Sequence, residues 1–157
     1  MKQNRENPFF ETYRTPFGTP PFDQIATEQY EPAFDEGIWQ LDEEVRAIAE
    51  NTELPTFENT IIALERSGKL LDKVISAFFN VLNAEADDEM MDISQRVSPK
   101  LSESSNNIYL NEQLFARVKS VYDRKDELHL PMEDARLLEK TFEAFCARGA
   151  ALGPEEK

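Results

Sequence analysis

The stretch that decides the fold is residues 56–82, TFENTIIALERSGKLLDKVISAFFNVL. Its apolar residues recur at alternating steps of four and three, which is the spacing of one face of an α-helix. That stripe consists of Phe57, Ile61, Leu64, Gly68, Leu71, Ile75, Phe78 and Leu82. Thr56 precedes the stripe and is a favourable N-cap residue. The pattern therefore predicts one long helix that begins after Thr56 and runs to about Leu82.

The glycine on this stripe has two interpretations. Gly68 could be a tolerated helical glycine, at a cost of about 1 kcal/mol relative to alanine. Its position on the apolar face favours the other interpretation, in which the missing side chain lets a second backbone come close. We therefore expect close helix packing at Gly68.

Four further segments show helical spacing with matching caps. The first helix is predicted from Thr27 to about Asn51, and the third begins at Asp87 and Asp88 with a kink at Pro99. The fourth is predicted from Asn111 to about Arg124, and the fifth from Pro131 to Gly149, a glycine suited to a helix C-terminus. Short connections between helices predict an all-α fold, a bundle of about five antiparallel helices.

The first 26 residues differ from the rest, because they are rich in prolines and aromatic residues. The prolines are Pro8, Pro16, Pro20 and Pro21, and the aromatics are Phe9, Phe10, Tyr13, Phe17 and Phe22. Such proline density prevents regular helix. We predict an extended arm (1–26) that lies on a helical bundle (27–157); a disordered tail whose aromatics bind a partner is the alternative.

The end of the sequence and its charge bear on the larger protein. Residues 153–157, GPEEK, resemble the start of another helix, so we expect the bundle to be a truncated lobe of a longer chain. The net charge of −14, from 31 acidic and 17 basic residues, disfavours nucleic acid and anionic membranes as partners. No stretch of about 18 apolar residues and no signal peptide is visible, which predicts a cytoplasmic protein.

Catalytic chemistry has little support in the residues. A zinc site needs three or four ligands, and the chain has one histidine, His129, and one cysteine, Cys146. We expect a surface imidazole at a turn and a reduced core thiol, because a single cysteine cannot form an internal disulfide. The adjacent acids at 43–44, 87–89 and 155–156 point in different directions on a helix, so they form no acid–base couple. We assign no catalytic and no metal-binding residue, and the substrate-binding residues stay unknown.

A resemblance to a known family covers nearly the whole chain. Residues 13–25, YRTPFGTPPFDQI, and 28–34, EQYEPAF, are similar to the opening of the thimet-oligopeptidase-like zinc metallopeptidases. The likeness is greatest to their bacterial peptidyl-dipeptidase branch. It continues through FENT (57–60), LERSG (64–68), VSP (97–99) and IYLNEQLF (108–115).

This resemblance implies a larger parent enzyme. Such enzymes hold zinc with a His-Glu-x-x-His helix and a further Glu, and none of these residues maps onto this chain. The resemblance implies a two-lobed helical ellipsoid in which N-terminal helices wall a deep channel, so that only short peptides are cleaved or shortened by C-terminal dipeptides. The implied partners are the missing C-terminal catalytic portion and short peptides. Zinc would belong to the parent and not to this region.

Two other interpretations stay open. One is a stand-alone helical protein-interaction module without catalytic activity. The other is an inactive regulatory paralogue that consists of this lobe alone. If the chain is instead a fragment, apolar surface near the fifth helix and residues 150–152 should be exposed or covered by self-association.

Overall fold

The structure is a computed structural model that describes residues 7–85 and 87–150. Its helices are α1 (Tyr30–Ala49), α2 (Ala63–Arg66), α3 (Lys69–Glu85), α4 (Asp88–Tyr109), α5 (Glu112–Asp123) and α6 (Met132–Ala147). All except α2 are longer than ten residues, and no strand occurs within the described ranges. The predicted all-α class with about five helices is therefore confirmed.

The described part of the N-terminal arm, from residue 7, consists of single helical turns joined by residues with an extended backbone. These turns are Pro8–Phe10, Pro16–Gly18, Phe22–Gln24 and Thr27–Gln29. The last of them corrects the predicted helix start, because Thr27 begins this turn and α1 begins at Tyr30. The turn is closed by the Gln29 side chain, whose Oε1 accepts from the Ala26 N–H at 2.8 Å. At its other end α1 stops at Ala49, two residues before the predicted Asn51.

The chain forms two compact units. The first comprises residues 7–41 and 68–102, and the second comprises residues 42–67 and 103–150. The predicted division into an arm (1–26) and a bundle (27–157) follows a different criterion and stays a prediction.

The first unit has an aromatic core. The rings of Phe9 and Tyr30 lie 5.4 Å apart, and those of Tyr30 and Phe34 each lie 5.2 Å from Phe78. The aliphatic and small members of the same core are Ala33, Leu71, Val74, Ala77, Met90, Ile93 and Val97. Because Phe9 belongs to the arm, the arm is part of this core and not a separate tail.

In the second unit, α5 and α6 pack on each other and on the helical turns that precede α2. The buried apolar residues are Val45, Ile48, Ala49, Phe57, Ile61, Leu114, Val118, Val121, Leu138, Phe145 and Ala150. Tyr122 and Phe142 stack with ring centroids 3.9 Å apart. Burial of Ala150 contradicts the expectation of an exposed apolar surface at that residue, and residues 151 and 152 lie outside the described ranges.

The predicted single helix over residues 56–82 is wrong at Gly68. The segment begins as a π-helix, Phe57–Ile62, continues as α2, and breaks before α3. Gly68 has a φ of +74°, a conformation that few residues with a side chain adopt. The Ser67 hydroxyl donates to the Leu64 carbonyl at 2.6 Å and occupies an acceptor at the end of α2. The periodicity runs across the break, so the stripe alone could not reveal it.

The close approach of two backbones occurs at a different glycine. A Cβ on Gly37 of α1 would lie 3.0 Å from the Leu71 Cα, whereas one on Gly68 would meet the Leu41 side chain at 3.2 Å. The packing predicted at Gly68 is thus a contact with a side chain. The backbone contact belongs to Gly37, which the sequence analysis did not single out.

The caps predicted at Thr56, Asp87, Asn111 and Gly149 are confirmed, whereas Thr27 does not cap α1. Asn59, Met90 and Leu114 donate their backbone N–H groups to the side chains of Thr56, Asp87 and Asn111, at 3.0, 2.8 and 2.9 Å. Gly149 has a φ of +89° after α6, and the Ala150 N–H donates to the Phe145 carbonyl at 3.0 Å, which is a Schellman motif. Pro131 is the residue that precedes α6, and α5 ends at Asp123. Pro99 lies inside α4, and the kink expected there stays a prediction.

Candidate functional site

The histidine and the cysteine lie at opposite ends of α6. His129 is exposed in the turn before Pro131, with a φ of +48°. Cys146 is free and half-buried in the last turn of the helix, so the expected thiol is present but not in the core. From Met132 to Cys146 a helix advances about 21 Å. The two side chains therefore form no nucleophile–base pair.

A metal site is equally unsupported by the described residues. Within 7–85 and 87–150, no three His, Cys, Asp or Glu side chains come close enough to hold an ion. These donors do not fit the zinc that the resemblance implies for a parent enzyme, because the exposed His129 stands apart from Cys146. The assignment of no catalytic or metal-binding residue to this chain stays a prediction.

The first unit carries a cleft of about 410 Å³ beside the arm. Its lining residues are Phe9, Phe10, Glu11, Thr12, Glu36, Gln40, Lys69, Leu70 and Lys73. Both signs of charge occur in this arm cleft, and Gln40 donates to the Glu36 carboxylate at 2.9 Å.

Lys73 is committed to holding the arm. Its ammonium donates to the carbonyls of Phe9 and Glu11, at 3.1 and 2.7 Å, and lies 3.9 Å from the centroid of the Tyr13 ring. Burial lowers the pKa of Lys73. The pKa of Tyr13 is raised, mainly by burial and to a smaller extent by the nearby Tyr30. With both carbonyls bound, the ammonium has a structural role and offers little to a substrate.

A second groove of about 450 Å³ in the first unit is dominated by carboxylates. It is lined by Glu28, Glu31, Pro32, Asp35, Glu89, Ile93 and Arg96. Arg96 and Glu31 form an ion pair at 3.0 Å, and Lys100 pairs with Asp35 at 2.7 Å. The hydrogen bond from Arg96 is the main reason why the pKa of Glu31 is lowered. These pairs join α1 to α4 on the surface of the unit.

In the second unit, the buried cation Arg117 holds the loop of residues 51–56. Its side chain is 7% exposed, and Nη1 donates to the carbonyls of Asn51 and Glu53 at 2.7 and 2.9 Å. Nη2 donates to Oδ1 of Asn59 at 3.0 Å. A buried guanidinium normally pairs with a carboxylate, and here backbone and amide oxygens take that place.

Two further carbonyls of this loop also accept side-chain donors. Nδ2 of Asn59 donates to the Leu54 carbonyl at 3.0 Å, and Arg124 donates to the Pro55 carbonyl. The backbone of the loop is therefore fixed by hydrogen bonds. The Leu54 side chain points away from it and is 82% exposed.

The sequence analysis missed Arg117, although the sequence contains a signal for it. Arg117 lies on the apolar stripe of α5, three residues after Leu114 and one before Val118, both of which are buried. A basic residue on a buried face needs acceptors close by. The acceptors are carbonyls of a loop far away in sequence, and periodicity does not predict such contacts.

Together, the described residues offer binding surfaces but no assembled chemistry. The cations Lys73, Arg96 and Arg117 are each occupied by carbonyls or carboxylates of the chain itself. None of the described helices has the length and apolar content of a membrane span.

Comparison with known proteins shows which class of protein this chain is similar to. No family model matches the chain. It is similar to bacterial dipeptidyl carboxypeptidases, and the resemblance predicted from the sequence is thereby confirmed.

Two curated relatives carry this likeness. One is the dipeptidyl carboxypeptidase of Escherichia coli (strain K12), which is 45% identical over 151 residues. The other is the dipeptidyl carboxypeptidase of Salmonella typhimurium (strain LT2), which is 40% identical over 151 residues. In both cases the match covers 96% of this chain but only 22% of the relative. The chain therefore spans about a fifth of the length of the curated relatives it matches.

Proposed function

We propose that this chain is the N-terminal helical region of a zinc-dependent dipeptidyl carboxypeptidase. The observation that carries the proposal is the similarity to two enzymes of that name over 96% of the chain. An identity of 45% over 151 residues supports a shared fold and a peptidase as the parent protein. The metal, the cytoplasmic location and the short-peptide substrates follow from this resemblance and are part of the proposal.

The proposed role of the region is to wall the channel that leads to the catalytic portion. One observation supports a structural role. The charged side chains of both units fix the arm, the loop 51–56 and the pair of helices α1 and α4. The partners implied are the remaining polypeptide and short peptides, and the net charge of −14 disfavours nucleic acid.

The first experiment compares this chain with the polypeptide encoded by the full reading frame. The longer protein is expected to contain zinc and to release C-terminal dipeptides from a short peptide, with loss of activity after chelation. The 157-residue chain alone is expected to do neither. A reading frame that stops after residue 157 would contradict the proposal and favour the stand-alone interaction module.

The channel role needs its own measurement. Deleting residues 1–157 from the longer protein should leave its zinc content unchanged, because no ligand is assigned to this region. The preference for short peptides over an unfolded protein substrate should decrease, since one wall would be missing. An unchanged preference at full zinc content would contradict the channel role while leaving the peptidase assignment intact.

A further inference from the structure

A tight double turn in the arm holds one aromatic side chain in solvent. The Gly18 N–H donates to the Thr15 carbonyl at 3.2 Å, and the Thr19 N–H donates to the Pro16 carbonyl at 3.4 Å. The hydroxyl of Thr19 also donates to the Pro16 carbonyl at 3.0 Å, and the hydroxyl of Thr15 donates to the Thr19 carbonyl. Phe17 lies at the tip of this turn, and its relative exposure is 104%.

The backbone at this tip is unfavourable for the residue it carries. Phe17 has a φ of +59° and Gly18 has a φ of +66°. Glycine adopts such values freely, whereas the Cβ of a phenylalanine comes close to its own backbone carbonyl there. Asparagine or glycine would suit position 17 better, and the exposed ring gains no packing from the part of the chain that the structure describes. Strain of this kind is typical of sites that bind something.

The surroundings of Phe17 are suited to burial against another surface. Residues 12–22, TYRTPFGTPPF, contain Arg14 as their single charged residue, in a chain whose net charge is −14. Leu54 is also exposed, but Glu53 precedes it and Glu50 and Glu58 lie nearby in the sequence. Covering Leu54 would remove carboxylates from water at a high cost. The Phe17 turn has no such obstacle.

We infer that Phe17 is an anchor residue that inserts into an apolar pocket on the remaining polypeptide of the parent protein. This inference rests on the proposed function. This chain corresponds to 22% of each relative's length, and the partner that would cover Phe17 is the remaining part of the parent polypeptide. A phenylalanine can bury about 150–250 Å² at such a contact. Arg14 lies three residues before Phe17 in the sequence and favours a pocket with carbonyl or carboxylate groups at its rim.

The direct test measures access to residue 17. Phe17→Cys is combined with Cys146→Ser, so that one thiol is present, and maleimide labelling is timed in the 157-residue chain and in the full-length polypeptide. Labelling is expected to be rapid in the short chain and at least about tenfold slower in the long one, a population shift equivalent to about 1.4 kcal/mol. Leu54→Cys in the same background is the matched control and should label rapidly in both.

A second variant gives effects of opposite sign in the two proteins. Phe17→Asn relieves the backbone strain, so the melting temperature of the short chain should stay the same or rise by about 2–4 °C. In the full-length polypeptide the same change removes the anchor, so its melting temperature should fall. Phe17→Trp keeps a large apolar side chain and should retain most of the full-length stability.

Each outcome decides a different point. If the full-length protein is active and contains zinc, but the thiol introduced at position 17 labels as fast as in the short chain, the anchor is overturned and the proposed function stands. A reading frame that ends at residue 157 overturns both. If the short chain sediments as a dimer that Phe17→Asn converts to a monomer, the occupant is a second copy and the inference is wrong.

Discussion

The N-terminal arm of the first unit and the loop 51–56 of the second are both irregular segments that contact a cation. The main stabilising interaction differs between them. The arm buries Phe9 to 1% exposure against Tyr30, and Lys73 adds two hydrogen bonds. No residue from 51 to 56 is buried, and the loop depends on Arg117, Asn59 and Arg124 as donors.

The difference shows what each force can specify. Burial of an aromatic ring contributes more free energy than a hydrogen bond exchanged with water, but it is not directional. The hydrogen bonds of the loop contribute less and define the direction of each carbonyl. We therefore expect the arm to respond most to loss of an apolar side chain, and the loop to respond most to loss of a donor.

The largest loss of stability is expected from Phe9→Ala. A small loss would contradict the view that burial of this ring secures the arm. Truncating a fully buried phenylalanine typically lowers the free energy of unfolding by about 3–5 kcal/mol. Urea denaturation measures the change. Phe22→Ala in the same arm is the control, and because Phe22 is exposed its effect should stay within about 0.5 kcal/mol. Equal effects would mean that the arm is not part of the core.

Arg117→Met is expected to cost about 2–3 kcal/mol. The substitution keeps an apolar stem on the buried face but leaves the carbonyls of Asn51 and Glu53 without their charged donor. Hydrogen exchange should show faster opening at residues 51–56. Arg136→Met, at an exposed position of α6, is the matched control. If both variants unfold at the same urea concentration, the donor model of the loop is wrong.

Lys73→Met should have a smaller effect, about 1 kcal/mol. The arm keeps Phe9 in the core, and water can reach the partly exposed carbonyl of Glu11 once the ammonium is gone. The exposed Lys69→Met provides the comparison at a neighbouring position. A loss as large as that of Phe9→Ala would show that the cation, and not the ring, secures the arm.

The smallest expected effect is a dependence of stability on pH, and it distinguishes the first unit from the loop of the second. Because Arg96 lowers the folded-state pKa of Glu31, the pair stabilises the first unit above the unfolded pKa of a glutamate, and this contribution is lost as the pH falls through the folded pKa. Urea titrations should therefore show wild type and Glu31→Gln converging as the pH falls from about 7 to about 3. The difference should also shrink at high salt.

The same experiment has no counterpart at the loop. The partners of Arg117 are carbonyl and amide oxygens, which do not titrate over this range. A pH-dependent stability difference between wild type and Arg117→Met over the same range would indicate that a titratable group contributes to the loop.

The caps and the helix class could be predicted because each depends on neighbouring residues. Thr56, Asp87 and Asn111 accept N–H groups from residues three positions later, so local sequence suffices. The break at Gly68 could not be predicted from the stripe, because the apolar spacing continues across it.

The unpredicted features depend on contacts between residues far apart in sequence. Gly37 meets the Leu71 backbone, and Arg117 meets carbonyls some 60 residues earlier in the chain. Nothing in the spacing around either residue indicates its partner. The exposure of Phe17 was also not predicted, because the whole arm was expected to lie on the helices. Among the aromatic residues of the arm, only Phe9 is fully buried.

The hydrogen-bonded loop has a consequence for the lifetime of the protein among proteases. Exposed loop tips are the usual sites of cleavage. A protease binds such a segment as an extended strand, with hydrogen bonds between the carbonyls of the segment and the backbone of the protease. In the loop 51–56 the carbonyls of Asn51, Glu53, Leu54 and Pro55 already have donors. Because these bonds must break before the segment can become extended, we expect proteases to cleave this exposed loop slowly.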